Sequence, residues 1–421
     1  MNEVTENLGI RIQPFNRLTF PVVLNQIENL GFDRYFHVHI IENTHQLQRF
    51  VHESKKGLLL YSFMTPHLPQ IMKEIDWVKS IKHSALKTLA GGPHSNGDPE
   101  SSLKVGFDYV FSGAAEMGFA NFIELYLEGK LPSEPTIFRA REIDQLDHSM
   151  PISHLFPISP PLEITRGCYW NCKFCQTACQ KAKHRSLPSV AVYYQELIRR
   201  GHQRRVSFIC PSAFEYGATA ARELQPTAIQ NLLEYCKTNG TRQLEFGIFP
   251  SETRPNTVSD EFVRLIRQYC SNRKICIGGQ TGSDRLLKLI RRGHSVESIE
   301  TACEISVRHQ LRPYVDIIFG FPEENSYDRH ATLQMIKKLA TTYQARIHLH
   351  YFIPLAGTDL SGSRPRRLDY KTMDTLTKFE KDGICTGWWK KGMQLSLSLI
   401  ELYDRWQNQS VSYQTIHLPA A

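Results

Sequence analysis

Hydrophobic positions follow two alternating periods over residues 1–129, one typical of strands and the other of helices. Short apolar runs such as Gly57–Ser62 and Leu86–Ala90 predict buried strands. Between them, stretches such as His67–Ile81 have an apolar residue at every third or fourth position and predict helices. Strands that alternate with helices favour a parallel, doubly wound sheet, so the fold class expected for this segment is α/β.

The predicted strands of residues 1–129 end in small and polar residues. In an open parallel sheet, ligands bind outside the carboxyl ends of the strands, and glycine there allows close approach to the backbone. A domain that binds nothing and only packs remains an alternative. The candidate binding residues at these ends are Ser62, Thr65, Gly91, Gly92, Ser112 and Gly113.

A second series of strands and helices follows a proline-rich stretch. Residues 130–161 contain six prolines and little periodicity, which predicts an extended linker. The six units that follow predict a partial (β/α)6 barrel over residues 162–359, with its chemistry at the carboxyl ends of the strands. Residues 360–421 have the pattern of amphipathic helices, which predicts a helical C-terminal extension. The predicted barrel strands are Leu162–Thr165, Val206–Ile209, Leu244–Ile248, Lys274–Ile277, Tyr314–Phe319 and Arg346–Phe352.

Three cysteines, Cys168, Cys172 and Cys175, directly follow the first barrel strand with CxxxCxxC spacing. This spacing lets three thiolates converge on one metal centre. A fully protein-ligated iron–sulfur cluster normally takes four cysteines, so three ligands would leave one iron open. On the loop alone, a zinc site completed by Cys179 or His184 is an alternative.

The loop Leu162–Cys175, with Phe174 before the third cysteine, resembles the cluster-binding loop of radical S-adenosylmethionine (SAM) enzymes. The resemblance implies a 4Fe–4S cluster whose open iron chelates the amino and carboxylate groups of SAM. It also implies a small electron-donor protein of the flavodoxin or ferredoxin type as a partner.

The segment Gly57–Glu128 resembles the cobalamin-binding domain found ahead of many radical SAM domains, which implies cobalamin as a further cofactor. The Asp-x-His-x-x-Gly loop that supplies a lower cobalt ligand in some cobalamin proteins is missing from the sequence. We therefore expect no cobalt ligand from that motif, and we expect His94 to be a loop or tail contact. Gly113–Glu116 departs from the family's Gly-Glu-Gly-Glu-like pattern.

The ends of the later barrel strands carry the SAM contacts that the resemblance implies. Ser251, Glu252 and Arg254 follow the third strand. Arg254 is the candidate for the SAM carboxylate, because a guanidinium can bind it bidentately, and Glu252 is the candidate for the ribose. An ion pair between Arg254 and Glu252 is the alternative. At the fourth strand, Gly278 would admit the adenosyl group and Gln280 would point into the barrel.

Seven other cysteines are scattered, and we predict that they pack, with Cys179 as the one candidate auxiliary ligand. His348 and His350 alternate on the sixth strand and face one side. They are candidates for substrate ligands or proton carriers, with packing in a filled core as the alternative. The scattered cysteines are Cys179, Cys210, Cys236, Cys270, Cys276, Cys303 and Cys385.

Charge and composition bear on the partners and the location of the protein. The chain has 50 basic and 42 acidic residues, a net charge of +8, but the basic residues are dispersed, so a nucleic-acid partner is not expected. No apolar run approaches the roughly 20 residues that cross a bilayer, and the N-terminus has no apolar signal core. We therefore predict a cytoplasmic protein. Ten cysteines in 421 residues do not indicate a disulfide scaffold.

The combined prediction is a cobalamin-dependent radical SAM enzyme, a C-methyltransferase that methylates an unactivated carbon. A radical SAM rearrangement, cyclisation or oxidation without methyl transfer is one alternative. A zinc-holding protein that binds nucleic acid is another. The residues do not indicate which substrate is used.

Overall fold

The computed structural model of the chain describes residues 6–201 and 205–419. They divide into two units. The first contains residues 6–160, Leu355–Ser361 and residues 398–419, and the second contains Pro161–Pro354 and Gly362–Leu397. The first five residues, on which the prediction of no signal segment rests, lie outside the described residues. None of the helices in the described ranges is both long and apolar enough to cross a bilayer.

The first part of the chain alternates strands and helices, as its apolar pattern predicts. Its strands are β1 (Glu6–Arg11), β2 (Phe36–Ile41), β3 (Gly57–Ser62), β4 (Leu86–Gly91), β5 (Tyr109–Ser112) and β6 (Thr136–Arg139). Its α-helices are α1 (Phe20–Asn29), α2 (Thr44–Glu53), α3 (Leu68–Ile81), α4 (Pro93–Gly97), α5 (Pro99–Val105) and α6 (Phe119–Leu127).

The remaining strands are short at first and longer towards the C-terminus. They are β7 (Leu162–Glu163), β8 (Thr165–Arg166), β9 (Lys183–His184), β10 (Arg205–Val206), β11 (Phe208–Ile209), β12 (Gln243–Leu244), β13 (Lys274–Gln280), β14 (Arg312–Phe319), β15 (Arg346–Tyr351), β16 (Cys385–Gly387) and β17 (Gln414–His417). The helices are α7 (Leu187–Arg199), α8 (Pro226–Thr238), α9 (Asp260–Tyr269), α10 (Asp284–Leu289), α11 (Val296–Arg308), α12 (Ser326–Tyr343), α13 (Tyr370–Lys381) and α14 (Trp389–Trp406).

The first unit is built on a seven-stranded sheet in the order β17-β6-β5-β4-β3-β1-β2. Every neighbouring pair is parallel, so the predicted doubly wound parallel sheet is confirmed. Leu58, Leu59 and Leu60 of β3 are almost fully buried, because helices cover both faces of a central parallel strand. The order β2-β1-β3-β4-β5 is that of flavodoxin-like folds, whose ligands bind near the switch point between β1 and β3.

Two strands of this sheet lie where the sequence patterns predict none. β6 falls inside the predicted proline-rich linker, and β17 falls inside the predicted helical extension. Both strands have four residues, and β17 at the sheet edge is mostly exposed, so neither has an apolar period long enough to detect. The predicted domain boundaries, 1–129, 130–161, 162–359 and 360–421, stay predictions.

The second unit contains a parallel series of strands that follow one another in chain order. β7 pairs with β11 and β10 with β12, and β13 to β16 form a four-stranded sheet. Backbone hydrogen bonds join these groups, from Glu245 N to Val206 O (2.9 Å) and from Cys276 N to Gly247 O (2.8 Å). All six predicted barrel strands are present, and the short strand β16 extends the series beyond β15.

A buried histidine links the ends of β3 and β4 in the first unit. His94 is completely buried, with its Nδ1 3.0 Å from Thr65 Oγ1 and its Nε2 2.8 Å from Ser101 Oγ. The Thr65 oxygen accepts from Ala356 N (3.0 Å) and the Ser101 hydroxyl donates to Asp98 O (2.9 Å). The network therefore requires Nδ1 to accept and Nε2 to donate. Burial lowers the pKa of His94 to about 3, so the ring is neutral near neutral pH.

This neutral histidine should make the first unit sensitive to acid. In the unfolded chain the ring takes up a proton near pH 6.5, whereas in the folded chain it does so only near pH 3, so stability is present above pH 6.5 and falls as the pH drops below it. We expect His94→Gln to be less stable than the wild type at pH 7, because hydrogen bonds are lost. The difference should shrink by about 1.4 kcal/mol per pH unit below pH 6.5.

Peptide-resolved hydrogen exchange of β3 and β4 across a urea series, at pH 7 and pH 5, measures this difference. The same substitution at exposed His83 is the control. A wild-type advantage that stays constant between the two pH values would contradict the neutral buried ring.

Candidate functional site

A short antiparallel hairpin holds the cysteine loop. β8 and β9 pair Thr165 with His184 and Arg166 with Lys183, so residues 167–182 form the loop between them. Cys168 N donates to Gln180 O (2.9 Å) and closes the base of the loop. Gly167 has φ +78°, and a Cβ there would lie 2.2 Å from Lys181 O. Only glycine allows the chain to close at this position.

The three cysteines occupy the inner part of this loop. Cys172 is buried, whereas Cys168 and Cys175 are partly exposed, and Cys175 N donates to Cys172 O (3.2 Å). Lys173 N donates to Ile290 O (3.1 Å), which fixes the middle of the loop to the chain after α10. Burial raises the pKa of the Cys168 thiol to about 11, so the thiol keeps its proton near neutral pH. A metal ion that binds this sulfur would displace the proton.

Phe174 directly precedes Cys175, and His184 was one candidate for the fourth ligand of a zinc site. The ring of Phe174 packs edge-on against Phe321, with 5.3 Å between the centroids. His184 Nδ1 lies 2.9 Å from Thr165 Oγ1, and its Nε2 lies 3.0 Å from the Tyr169 hydroxyl. Both nitrogens are therefore engaged with protein oxygens, which disfavours His184 as the fourth ligand of a zinc site.

Two arginines converge on the sulfur of Cys172. Arg254 Nη1 lies 3.8 Å from Cys172 Sγ and Arg292 Nη1 lies 3.6 Å from it. Burial, together with the charge of Arg292, lowers the pKa of Arg254 to about 10. Among the described residues, the Nε atoms of both arginines are buried without a hydrogen-bond partner. This positive, incompletely satisfied environment fits an anionic metal–thiolate cluster and its ligand.

Trp170 keeps Arg254 in this position. The Arg254 guanidinium stacks 3.9 Å from the centroid of the indole ring, and Trp170 Nε1 donates to Glu215 Oε1 (2.8 Å). Gly293 has φ +71°, and a Cβ there would lie 2.3 Å from the indole ring. Glycine at position 293 therefore gives the tryptophan its place against the arginine.

The candidate SAM contacts after the third barrel strand lie in different environments. Ser251 is fully buried, and its hydroxyl donates to Ile248 O (2.9 Å) within its own turn. Arg254 faces the cysteine loop and not Glu252, so the two do not form the alternative ion pair. Burial, followed by the charge of Asp316, raises the pKa of Glu252 to about 7. Their contacts with SAM stay predictions.

Gly278 and Gln280 lie at the end of β13, where the register with β14 shifts. A Cβ at Gly278 would lie 2.4 Å from Arg292 Nη2, and that nitrogen donates to Gly278 O (2.8 Å). Glycine at this position thus makes room for Arg292. Gln280 is buried with φ +72°. Close approach of an adenosyl group stays a prediction.

The candidate ligand residues of the first unit lie at the carboxyl ends of β3, β4 and β5, as predicted. Thr65 is fully buried and its hydroxyl joins the His94 network, and its contact with a ligand stays a prediction. Gly92 has φ +89°, and a Cβ there would lie 2.5 Å from Ser62 Oγ. Gly113 N donates to Asn96 Oδ1 (2.9 Å), which joins the β4 and β5 ends. Cofactor contacts of Ser62, Gly91, Gly92, Ser112 and Gly113 stay predictions.

Four residues of the second-unit site are missing from the sequence-based prediction: Trp170, Glu215, Arg292 and Asp316. Arg292 belongs to a pair of arginines that looks like dispersed surface charge in the sequence. Asp316 had a usable signal, because it is a single carboxylate inside the apolar strand Tyr314–Phe319. Asp316 lies on the same face of the sheet as His348 and His350 of β15. That arrangement follows only from the register between β14 and β15.

Comparison with known proteins identifies the second unit. Residues 162–336 match the family model of the Radical SAM superfamily. Among curated proteins, the chain is similar to tRNA-2-methylthio-N(6)-dimethylallyladenosine synthase of Pseudothermotoga lettingae, with 23% identity over 317 residues, 72% of this chain and 69% of that protein. The residues that match the family model, 162–336, include the cysteine loop and every candidate SAM contact.

Two solved structures show the fold of both units. One is the radical SAM methyltransferase TsrM from Kitasatospora setae with cobalamin and a [4Fe-4S] cluster bound, at TM-score 0.57 and 14% identity over 85% of this chain and 77% of that one. The other is the cobalamin-dependent SAM radical enzyme OxsB with aqua-cobalamin bound, at TM-score 0.60 and 12% identity over 91% of this chain and 56% of that one.

Arg292 should raise the reduction potential of a cluster bound by the three cysteines. Reduction adds negative charge, which a neighbouring guanidinium stabilises, so Arg292→Gln should make the reduction potential more negative. We expect a shift of the order of 40 mV, the one-electron equivalent of ~1 kcal/mol. Potentiometric titration followed by electron paramagnetic resonance measures the shift. Arg264→Gln on the exposed side of α9 is the control, and equal potentials in all three proteins would contradict the role of Arg292.

Proposed function

Because residues 162–336 are a radical SAM domain, we propose that this chain is a cobalamin-dependent radical SAM enzyme that transfers a methyl group to an unactivated carbon. Domains of this family use a 4Fe–4S cluster and SAM. The observation that carries the proposal is the three-cysteine loop with two guanidiniums at Cys172, in a chain that also contains a seven-stranded parallel sheet of flavodoxin-like order.

The residues of the second unit fit the cluster and its ligand. In this proposal Cys168, Cys172 and Cys175 hold three irons, and the fourth stays open for SAM. When bound, the cluster would supply the electron for reductive cleavage of SAM. Arg254 and Arg292 offset the negative charge of the cluster and orient the groups around Cys172. A small flavodoxin- or ferredoxin-type protein in the cytoplasm would deliver the electron.

The first unit is the proposed cobalamin site. Its strand order places the carboxyl ends of β1 and β3 at the switch point, where such sheets bind their ligands. The structures of TsrM and OxsB have cobalamin bound, which supports the same ligand here. The proposed contacts are Ser62, Thr65, Gly91, Gly92, Ser112 and Gly113. When bound, cobalamin would supply the methyl group.

Methylthio transfer is the second candidate function. It is favoured by the similarity to the tRNA-modifying relative, which extends over 72% of this chain. The low identity leaves that relative's substrate a hypothesis for this protein, and the dispersed basic residues do not form a long basic run. The elemental composition added to the product separates the two reactions, because methylthio transfer adds sulfur as well as carbon.

Anaerobic reconstitution followed by turnover tests the proposed function. We expect about four irons and four sulfides per chain and reductive formation of 5′-deoxyadenosine from SAM. Both should be lost in the Cys168→Ala, Cys172→Ala, Cys175→Ala triple variant and kept in a control in which exposed Cys179 is replaced by alanine. Mass spectrometry of a converted substrate should show an added methyl group. Stoichiometric zinc without iron would overturn the proposal, and added sulfur would favour methylthio transfer.

Gly91 allows a separate test of the cobalamin site. A Cβ at this position would meet nothing nearer than Tyr61 O at 3.8 Å, so the fold tolerates a side chain there. If the end of β4 contacts cobalamin, Gly91→Val should reduce hydroxocobalamin retention at least tenfold, a loss of about 1.4 kcal/mol of binding free energy.

Cobalamin retained by the full-length chain after gel filtration is the measured quantity. Gly362→Val is the control, because a Cβ there meets nothing within 4 Å. Equal retention by the wild type and Gly91→Val would remove the end of β4 from the site. No retention by the wild type would overturn the cobalamin assignment.

A further inference from the structure

Three metal-ligating side chains meet on one face of the four-stranded sheet of the second unit. Asp316 of β14 is in register with His348 of β15, and His350 follows two residues later on the same face. Asp316 Oδ1 lies 3.0 Å from His348 Nδ1 and 3.1 Å from His350 Nε2. All three atoms fall within 4.8 Å of one another. The strand register therefore brings one carboxylate and two imidazoles to a single point.

The spacing of these atoms suits a shared cation. Ligand atoms bound to a tetrahedral Zn²⁺ by bonds of 2.0–2.1 Å lie about 3.3 Å from each other. The two observed distances from Asp316 Oδ1 are shorter than this by only a few tenths of an ångström. The His348 and His350 rings are 4.3 Å apart and nearly perpendicular, so their nitrogens can approach one ion from different directions.

The surroundings add a second carboxylate and an aromatic wall. Glu252 interacts electrostatically with both Asp316 and His348. With both carboxylates deprotonated and both imidazoles neutral, as metal binding requires, the four groups would carry a charge of −2, which a divalent cation would neutralise. The ring of Trp388 lies perpendicular to His350 at 6.0 Å. The side chains of Asp316, His350 and His348 are 15%, 26% and 41% exposed, so the cluster can be reached by a cation from solvent.

We propose that Asp316, His348 and His350 bind a divalent transition-metal cation, with Glu252 as an additional carboxylate beside it. Two imidazoles and one carboxylate form a donor set that suits Zn²⁺ and Fe²⁺ and does not suit Mg²⁺ or Ca²⁺. Three protein ligands leave a coordination position for water or for an oxygen or nitrogen donor of a substrate. Its ligands are different residues from the three cysteines, and the proposal does not depend on the proposed methyl transfer.

Equilibrium dialysis of the reconstituted enzyme against Zn²⁺ tests this site, with iron and zinc measured in the same samples. We expect about one zinc per chain in addition to the full complement of iron. Asp316→Asn, His348→Ala and His350→Ala should each weaken zinc binding at least tenfold without loss of iron. His309→Ala is the matched control, because His309 forms a single histidine–carboxylate pair with Asp260 (2.7 Å) elsewhere in the unit.

X-ray absorption at the zinc edge distinguishes the competing outcomes. Nitrogen and oxygen neighbours with the scattering pattern of imidazole, lost in the conservative variant Asp316→Asn, would support the site. Sulfur neighbours, or zinc gained at the expense of iron, would place the zinc at the cysteines and overturn the proposal. It would also be overturned if the wild type bound no zinc, or if the variants and the His309 control bound it equally.

Discussion

The candidate site of the second unit is arranged around two arginines that both lie against the sulfur of Cys172. Burial of Arg254, together with the charge of the half-buried Arg292, lowers the pKa of the Arg254 guanidinium. Negative charge beside the two arginines would stabilise them, and a metal–thiolate cluster at Cys172 would supply it. Several local features follow from the position of the two arginines. Gly278 has no side chain where Arg292 passes, and Trp170 stacks on Arg254.

Parallel strands explain how distant residues reach this region and the neighbouring metal-ligand cluster. The cysteine loop follows β8, Arg254 follows β12, and Arg292 follows β13 by way of α10. In a parallel series the carboxyl ends lie on one side, so chain segments more than a hundred residues apart meet there. The same geometry brings Asp316 and His348 into register one strand further along. The fold thus brings together two chemically different groups of side chains by the same parallel arrangement of strands.

Local spacing allowed the sequence to predict the parallel sheet and the six-strand series, and the three cysteines as cluster ligands stay a prediction. Features that depend on contacts between distant parts of the folded chain could not be predicted from local spacing. Arg292 resembles surface charge until β13 and α10 are placed. The room that Gly278 leaves for that arginine likewise follows only from the assembled chain, and the contact of Gly278 with the adenosyl group stays a prediction. The hydrogen bond between the Thr65 hydroxyl and buried His94 also depends on residues far apart in the chain. Short strands such as β6 have too few residues to show a period.

Mössbauer spectroscopy of the chain reconstituted with ⁵⁷Fe tests most directly the claim that three cysteines hold a cluster with one open iron. The account predicts the spectrum of a 4Fe–4S cluster in which addition of SAM changes the signal of one iron out of four. Replacement of Cys172 by alanine should abolish that spectrum. Four irons that all remain unchanged on addition of SAM would contradict the account, because they would show a fully ligated cluster with no position for SAM.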